Sequence, residues 1–436
     1  TRTEDPYLCK NCYRPYDLYA KVIGAEFWKL SDFIDQKPAS EKEHEIKAFN
    51  SIDECKEFKI DGVAVGLIAE KSVMRFFLTG ELNDSDEHLE IYKRFLLSLA
   101  FIANAWANII SKIDQKPSLV LLYNGTLSFE TYIRKHCESD TINYVTHETY
   151  VGQNSWIYKK NDEVMKLKWA NEWSEFKKTP LNKEQLNQAK DFLEGLRHGK
   201  EMYAKLNEPT PIEKMIDGEG EFAVLFTNLN FDTAVLGRNP LFASMSDWIE
   251  KVIDYWIEHE TSLKLIIRVH PGEIKLVTPS SDFIGPKIRK KIKGHSNIIL
   301  FDAIDKVDSY TLIENMKFGL IYSSTIGLEI SYMNKVCMIA GDAFYKKEAF
   351  VIAPKTLSEY FGQLKGLIKD PSIENKKSKL EILHFIFFIY FHRVKRLNGI
   401  SMDHSNHVNL FSFETIEELD QMNKETFEEF EKEISI

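Results

Sequence analysis

The sequence predicts an α/β protein of two domains, each built on a parallel sheet and facing a common cleft, with helices added at the C-terminal end. Three observations carry this. Apolar runs of strand length alternate with helix-spaced segments in both halves of the chain, the pattern that parallel sheets require. Between Asn207 and Glu221 the chain carries Pro209, Pro211, Gly218 and Gly220 with little apolar content, which reads as a linker. Several apolar runs stop abruptly at hydroxyl, amide or imidazole groups, where strands of an open α/β sheet end and ligands bind.

Taken in order, Gly62 to Ala69 alternates apolar residues with glycines, as a strand does, and Glu87 to Lys112 has helical spacing. Leu119 to Tyr123 is a short apolar strand stopping at Asn124-Gly125, a turn signal. A helix through Arg134 follows, then a strand from Ile142 to Val145 that ends at Thr146-His147-Glu148. Helical stretches cover Val164 to Phe176 and Lys183 to Leu206. The second series begins at Phe222 to Phe226. It continues with a helix at Met245 to His259, strands at Leu263 to Val269 and Ile298 to Phe301, and a helix near Ser309 to Met316. Strand Phe318 to Tyr322, helix Ile326 to Asn334 and strand Val336 to Ala340 complete it. After Pro371 the chain is helical to about Leu397; a polar loop and an acidic segment, Thr415 to Ile436, close it. The expected domains are residues 1–207, 208–398 and a tail at 399–436.

An apolar fraction of 44% and a charged fraction of 28% are those of a globular chain. A net charge of −10 argues against a nucleic-acid surface, which needs clustered Lys and Arg. No apolar signal core follows Thr1, and the chain reads as trimmed or as part of a longer one. No run reaches the length of a membrane span. The nearest, Ile382 to Phe391, reads as a buried helix, with an interfacial helix on anionic lipid as the alternative. Of five cysteines, Cys9 and Cys12 form one Cys-x-x-Cys pair; zinc would need a second pair, and Cys55 does not supply it. The odd count suits reduced thiols in a cytoplasmic protein.

The chemistry concentrates between Leu263 and Gly341. One strand runs into Arg268-Val269-His270-Pro271; another runs into Ser323-Ser324-Thr325 and straight on into a helix. Unpaired N–H groups at a helix start favour an anion, the three hydroxyls add donors, and the His270 ring can donate to a phosphate. Ser and Thr also cap helix starts, and capping and phosphate binding share one geometry, so the two readings are not exclusive. Glu329, one turn into the helix, is either a ribose contact or an ordinary exposed Glu. Asp232, six residues beyond a strand, is either a nucleophile or an Asx-turn residue. Asp84-Ser85-Asp86 has the Asp-x-Asp form of some metal sites, but helix capping accounts for it better.

On these residues, with Asn124-Gly125, His147-Glu148 and the run Thr227 to Asp232, the chain resembles GT-B glycosyltransferases of bacterial surface-polysaccharide assembly. It is most similar to the capsule-synthesis-like proteins and the retaining β-Kdo transferases that use CMP-Kdo. The resemblance covers most of the chain and implies two Rossmann-like domains. It implies transfer of Kdo to a saccharide or lipid-linked glycan acceptor in O-antigen or capsule assembly, in the cytoplasm or at the inner membrane face. His270 and Pro271, with Ser323, Ser324 and Thr325, correspond to the motifs that hold CMP. Asp232 corresponds to the proposed nucleophile, and Glu148, with His147 as the alternative, would be general base across the cleft. The Kdo carboxylate needs donors, for which Arg268, Tyr345, Lys346 and Lys347 are available. No metal and no cofactor is expected, because His and hydroxyl contacts can stabilise departing CMP. Sialic acid or nucleoside-diphosphate-sugar transfer, sugar-nucleotide 2-epimerisation, and a non-catalytic glycan-assembly role are the alternatives.

Overall fold

The computed structural model describes residues 24, 26, 28–152, 154–197, 220–259, 262–275, 281–373, 375, 379–402 and 408–435. Cys9, Cys12 and the expected linker, apart from Gly220 and Glu221, lie outside them. The chain divides into two compact units, one comprising residues 1–73, 82–164 and 395–436, the other 74–81 and 165–394.

This division differs from the expected boundaries, and long-range aromatic packing is the reason. The helices Ala170–Phe176 and Lys183–Arg197, expected in the first domain, belong to the second unit. Trp173 meets Phe385 at 5.1 Å and Phe388 at 5.3 Å, and Phe192 meets Tyr390 at 4.4 Å. The apolar segment Ile382 to Tyr390 is buried under these contacts, so it is a core helix. Conversely, the acidic tail returns to the first unit, where Phe430 packs on Trp156 and Tyr158 and Glu429 pairs with Lys395 at 2.6 Å.

In the first unit, β1 (Leu119–Tyr123) runs parallel to β2 (Asn143–Thr149), and helix Ser128–Ser139 joins them. β3 (Ser155–Lys160) pairs antiparallel with β2, and the short strand Lys395–Arg396 adds antiparallel to β3. The sheet is therefore mixed, with one parallel pair. β2 extends four residues past the expected end, so His147 and Glu148 stand inside the strand. Asn124 and Gly125 both adopt left-handed backbone (φ 57° and 78°), and a Cβ on Gly125 would lie 2.5 Å from the Thr146 side chain.

The expected strand at Gly62 to Ala69 is instead a turn followed by helix Val65–Phe77. Gly66 serves close packing there: a Cβ would fall 2.2 Å from the carbonyls of Cys55 and Lys56. Among the described residues, helix Asp86–Lys112 is long and apolar enough to cross a membrane by length and composition, beyond what the sequence suggested. It buries Tyr92, Leu96, Leu99 and Ala103 within the protein. Ser85 caps it by accepting from the His88 N–H, and Asp84 accepts from the Ile52 N–H at 2.8 Å, so Asp84-Ser85-Asp86 is a capping segment.

The second unit is a five-stranded parallel sheet of β4 (Phe222–Phe226), β5 (Lys264–Arg268), β6 (Ile298–Phe301), β7 (Phe318–Ile321) and β8 (Val336–Ile339). Its order is β6-β5-β4-β7-β8. Runs such as Phe-Ala-Val-Leu-Phe and Val-Cys-Met-Ile are buried at every position, as strands covered on both faces must be. Helix Met245–Glu258 lays Trp248, Val252 and Trp256 on this sheet, with Ser244 as its N-cap. This unit is the doubly wound Rossmann-like fold expected.

Candidate functional site

Winding of the second unit proceeds from β4 outward to β6, then reverses across β4 to β7. The reversal leaves a switch point at the carboxyl ends of β4 and β7, where open α/β sheets bind ligands. Thr227 and Asn228 leave β4 there, His270 and Pro271 leave β5, and Ser323 to Thr325 leave β7. The structure thus brings the two principal sequence motifs to the same edge of the sheet, on the strands that flank β4.

Two backbone interactions aim His270. Its own N–H donates to Thr227 Oγ1 at 3.0 Å, and its Nδ1 accepts from the Gly272 N–H at 3.0 Å. An Nδ1 that accepts fixes the tautomer with the proton on Nε2. Burial pushes the imidazole down to about 4; Arg268 adds to this and Asp232 opposes it. The ring is therefore neutral near pH 7 and presents an Nε2–H with no hydrogen-bond partner among the described residues. Gly272 makes this possible, since a Cβ there would sit 2.8 Å from Nδ1. In the sequence Thr227 stood out only as part of the run Thr227 to Asp232, and Gly272 not at all, although the glycine after His-Pro was the available signal.

Asp232 is half-buried in the loop after β4 and lies near enough to His270 to influence its charge. Its Oδ1 accepts from the Ala234 N–H at 2.9 Å and from Thr233 Oγ1 at 3.4 Å, an Asx turn. Turn and functional readings thus share one geometry, which orients the carboxylate while Oδ2 has no hydrogen-bond partner among the described residues. Ser323 is buried: its N–H donates to Asn228 Oδ1 at 3.3 Å and its hydroxyl to the Ala234 carbonyl at 2.8 Å. It ties β7 to the Asp232 loop. Ser324 is half-buried and Thr325 exposed at the start of helix Ile326–Tyr332, so these two hydroxyls face outward more than Ser323 does.

Other expected contacts are engaged elsewhere. Arg268 is 2% exposed; its Nη1 and Nη2 donate to the carbonyls of Asp302 (2.8 Å) and Val307 (3.2 Å), and burial pushes it down to about 10. Strand alternation did set its register, but the guanidinium reaches sideways to brace the loop after β6 rather than offering a carboxylate site. Tyr345 is fully buried, its hydroxyl donating to the Ser324 carbonyl. Gly327 makes room for it, since a Cβ would meet that hydroxyl at 2.3 Å. Lys346 pairs with Asp342, as does Lys168 at 2.7 Å. Lys347 is exposed. Glu329 is buried rather than exposed: Tyr310 donates to its Oε2, and burial pushes its carboxyl up to about 7.

In the first unit, Glu148 accepts from Tyr123 Oη, from Asn124 Nδ2 at 2.7 Å, and from the Thr149 N–H and hydroxyl at 2.9 and 3.0 Å. Burial holds the adjacent His147 below its ordinary value, Glu148 opposing. Glu130, half-buried in the first turn of helix Ser128–Ser139, is raised by burial and by the charge of Glu148. The sequence did not mark Glu130, because a Glu in a first helical turn is ordinary. Among the described residues, no group of three or more His, Cys, Asp or Glu is arranged to hold a metal.

No family model matches the sequence, and no curated protein does. Among solved structures, the chain is similar to the Thermosulfurimonas dismutans KpsC β-Kdo 2,4 transferase, with TM-score 0.41, 12% identity, and coverage of 68% of this chain and 87% of that one. The corresponding 2,7 transferase gives 0.38 and 12%, covering 74% and 89%. UDP-GlcNAc 2-epimerase from Neisseria meningitidis bound to UDP-GlcNAc gives 0.27 and 11%, covering 74% and 97%. At such scores these likenesses add nothing to what the sheet topology itself establishes.

Proposed function

We propose that the chain is a glycosyltransferase that takes Kdo from CMP-Kdo and passes it to a saccharide acceptor with retention. The observation that carries this reading is the His270 geometry at the switch point. A neutral imidazole, its tautomer fixed by the Gly272 N–H, offers Nε2–H near the Asp232 carboxylate, and the Ser324 and Thr325 hydroxyls stand at the end of β7, on the other side of β4. Such a set suits a phosphomonoester leaving group: donors strengthen as charge develops on the departing phosphate oxygen. Asp232 would attack the anomeric carbon as its bond to the CMP oxygen breaks, the electron pair leaving with CMP. The acceptor hydroxyl then displaces the Asp232 carboxylate, its proton passing to a general base; two inversions give retention.

Ligand-induced thermal shift tests the donor class. CMP is expected to raise the unfolding midpoint more than UDP, following the ratio of ligand to Kd, and His270→Ala is expected to remove the response. A larger response to UDP than to CMP contradicts the reading.

A further inference from the structure

One cavity lies wholly in the first unit, beside the turn that ends β1. Its volume is about 510 Å³, and three cations line it, Lys71, Arg134 and Lys135, with the hydroxyl-bearing Thr126 and Thr131. Among the described residues no carboxylate is part of its lining, although Glu138 and Glu163 pair with the lining cations. Arg134 is only 7% exposed and its fork is fixed. Nε donates to the Gly125 carbonyl at 3.2 Å, Nη1 to Glu138 at 2.7 Å, and Nη2 stands 3.7 Å from Glu163. Thr131 donates to the same Gly125 carbonyl at 3.3 Å, and Thr126, also buried, donates to Glu163 at 3.0 Å. The glycine turn, the arginine and both threonines therefore form one preorganised wall.

Lys135 stands at the exposed rim, paired with Glu138 at 3.1 Å. An exposed pair of this kind contributes little and rearranges readily. Leu67, 55% exposed, and Ile68 also line it, one helical turn before Lys71. One helix supplies Leu67, Ile68 and Lys71 and another supplies Thr131, Arg134 and Lys135, so apolar surface, hydroxyls and cations meet in one cavity, as a sugar ring that bears an anion requires.

We propose that this cavity is a subsite for the anionic group of a saccharide, carboxylate or phosphate. The assignment to a saccharide rests on the transferase reading above; the charge and geometry of the cavity do not. The test is the shift in unfolding midpoint at fixed ionic strength with glucuronic acid, glucose 6-phosphate, glucose, and inorganic phosphate, on wild type and on Lys71→Gln/Lys135→Gln. Both substitutions fall on helix surfaces, and circular dichroism together with the CMP response reports whether the variant is folded; Lys135→Gln alone replaces it if it is not. Glucuronic acid or glucose 6-phosphate should stabilise wild type where glucose does not, and the stronger of the two identifies the anion. The variant should bind that ligand about tenfold more weakly, the loss of one or two charge-assisted contacts, while its CMP response is unchanged. Equal responses to charged and neutral sugars overturn the proposal. So does inorganic phosphate acting as strongly as the sugar phosphate, or a folded variant that responds like wild type. Binding of the anionic sugar without any CMP response would instead count against the transferase reading alone.

Discussion

The Gly272 N–H donates to His270 Nδ1 at 3.0 Å, and this bond, two residues long in sequence, decides which imidazole nitrogen faces the ligand edge of the sheet. Removing the ring should therefore cost the anion one strong donor. We expect His270→Ala to weaken CMP binding about 10- to 100-fold, the range for one hydrogen bond to a charged group, as measured by titration calorimetry.

Gly272→Ala tests the aiming rather than the ring. The new Cβ would fall 2.8 Å from Nδ1 and displace the imidazole. We expect CMP affinity to fall towards that of His270→Ala while urea stability changes by less than about 1 kcal/mol, since Ala suits a helical position better than Gly. Unchanged CMP affinity would show that the ring orientation is immaterial.

Arg268 makes a structural prediction. Arg268→Met leaves the carbonyls of Asp302 and Val307 without their buried donor, which should cost about 2–4 kcal/mol. Hydrogen exchange in residues 302–308 should rise more than elsewhere in the unit. A uniform rise would mean that the guanidinium braces no particular loop.

Glu273, directly after His-Pro-Gly, is fully buried, and burial pushes its carboxyl up to about 8, the Ile284 N–H opposing and the charges of Asp302 and Asp282 adding to the rise. A folded-state value above the unfolded one near 4.5 means that the unfolded chain releases this proton first as pH rises. Glu273 thus lowers stability progressively between about 4.5 and 8, by on the order of 3 kcal/mol at pH 7. Glu273→Gln should be more stable than wild type at pH 8.5, and the difference should shrink by pH 5. Parallel urea midpoints at both pH values would refute it.

The second unit was legible because its strands are largely apolar along their length and mostly buried. Phe222–Phe226 and Ile298–Phe301 are continuous apolar runs with no competing period, and the structure returns them with the expected bounds. The same logic failed at Gly62 to Ala69, where two glycines mimicked strand alternation, but Gly62 sits in a left-handed turn (φ 81°) and Gly66 serves tight packing of a helix on the Cys55–Lys56 backbone. β2 ran on through Thr146-His147-Glu148 because β3, unmarked in the sequence, pairs with it there. Of the site, the placement of His270, Ser323 and Asp232 at adjoining strand ends followed from where apolar runs stop. The direction of long side chains did not: Arg268 kept its register yet reached into a loop, and Tyr345 turned its hydroxyl inward to Ser324.

The central claim is that Asp232 forms a covalent bond to the transferred sugar. Intact-protein mass after incubation with freshly generated CMP-Kdo, on wild type and Asp232→Ala, measures it directly. The account predicts an increment of one Kdo residue on wild type that is lost in the variant. Release of CMP with no increment would discard Asp232 as the nucleophile. No increment and no CMP release, from folded protein with acceptor present, would contradict CMP-Kdo as the donor.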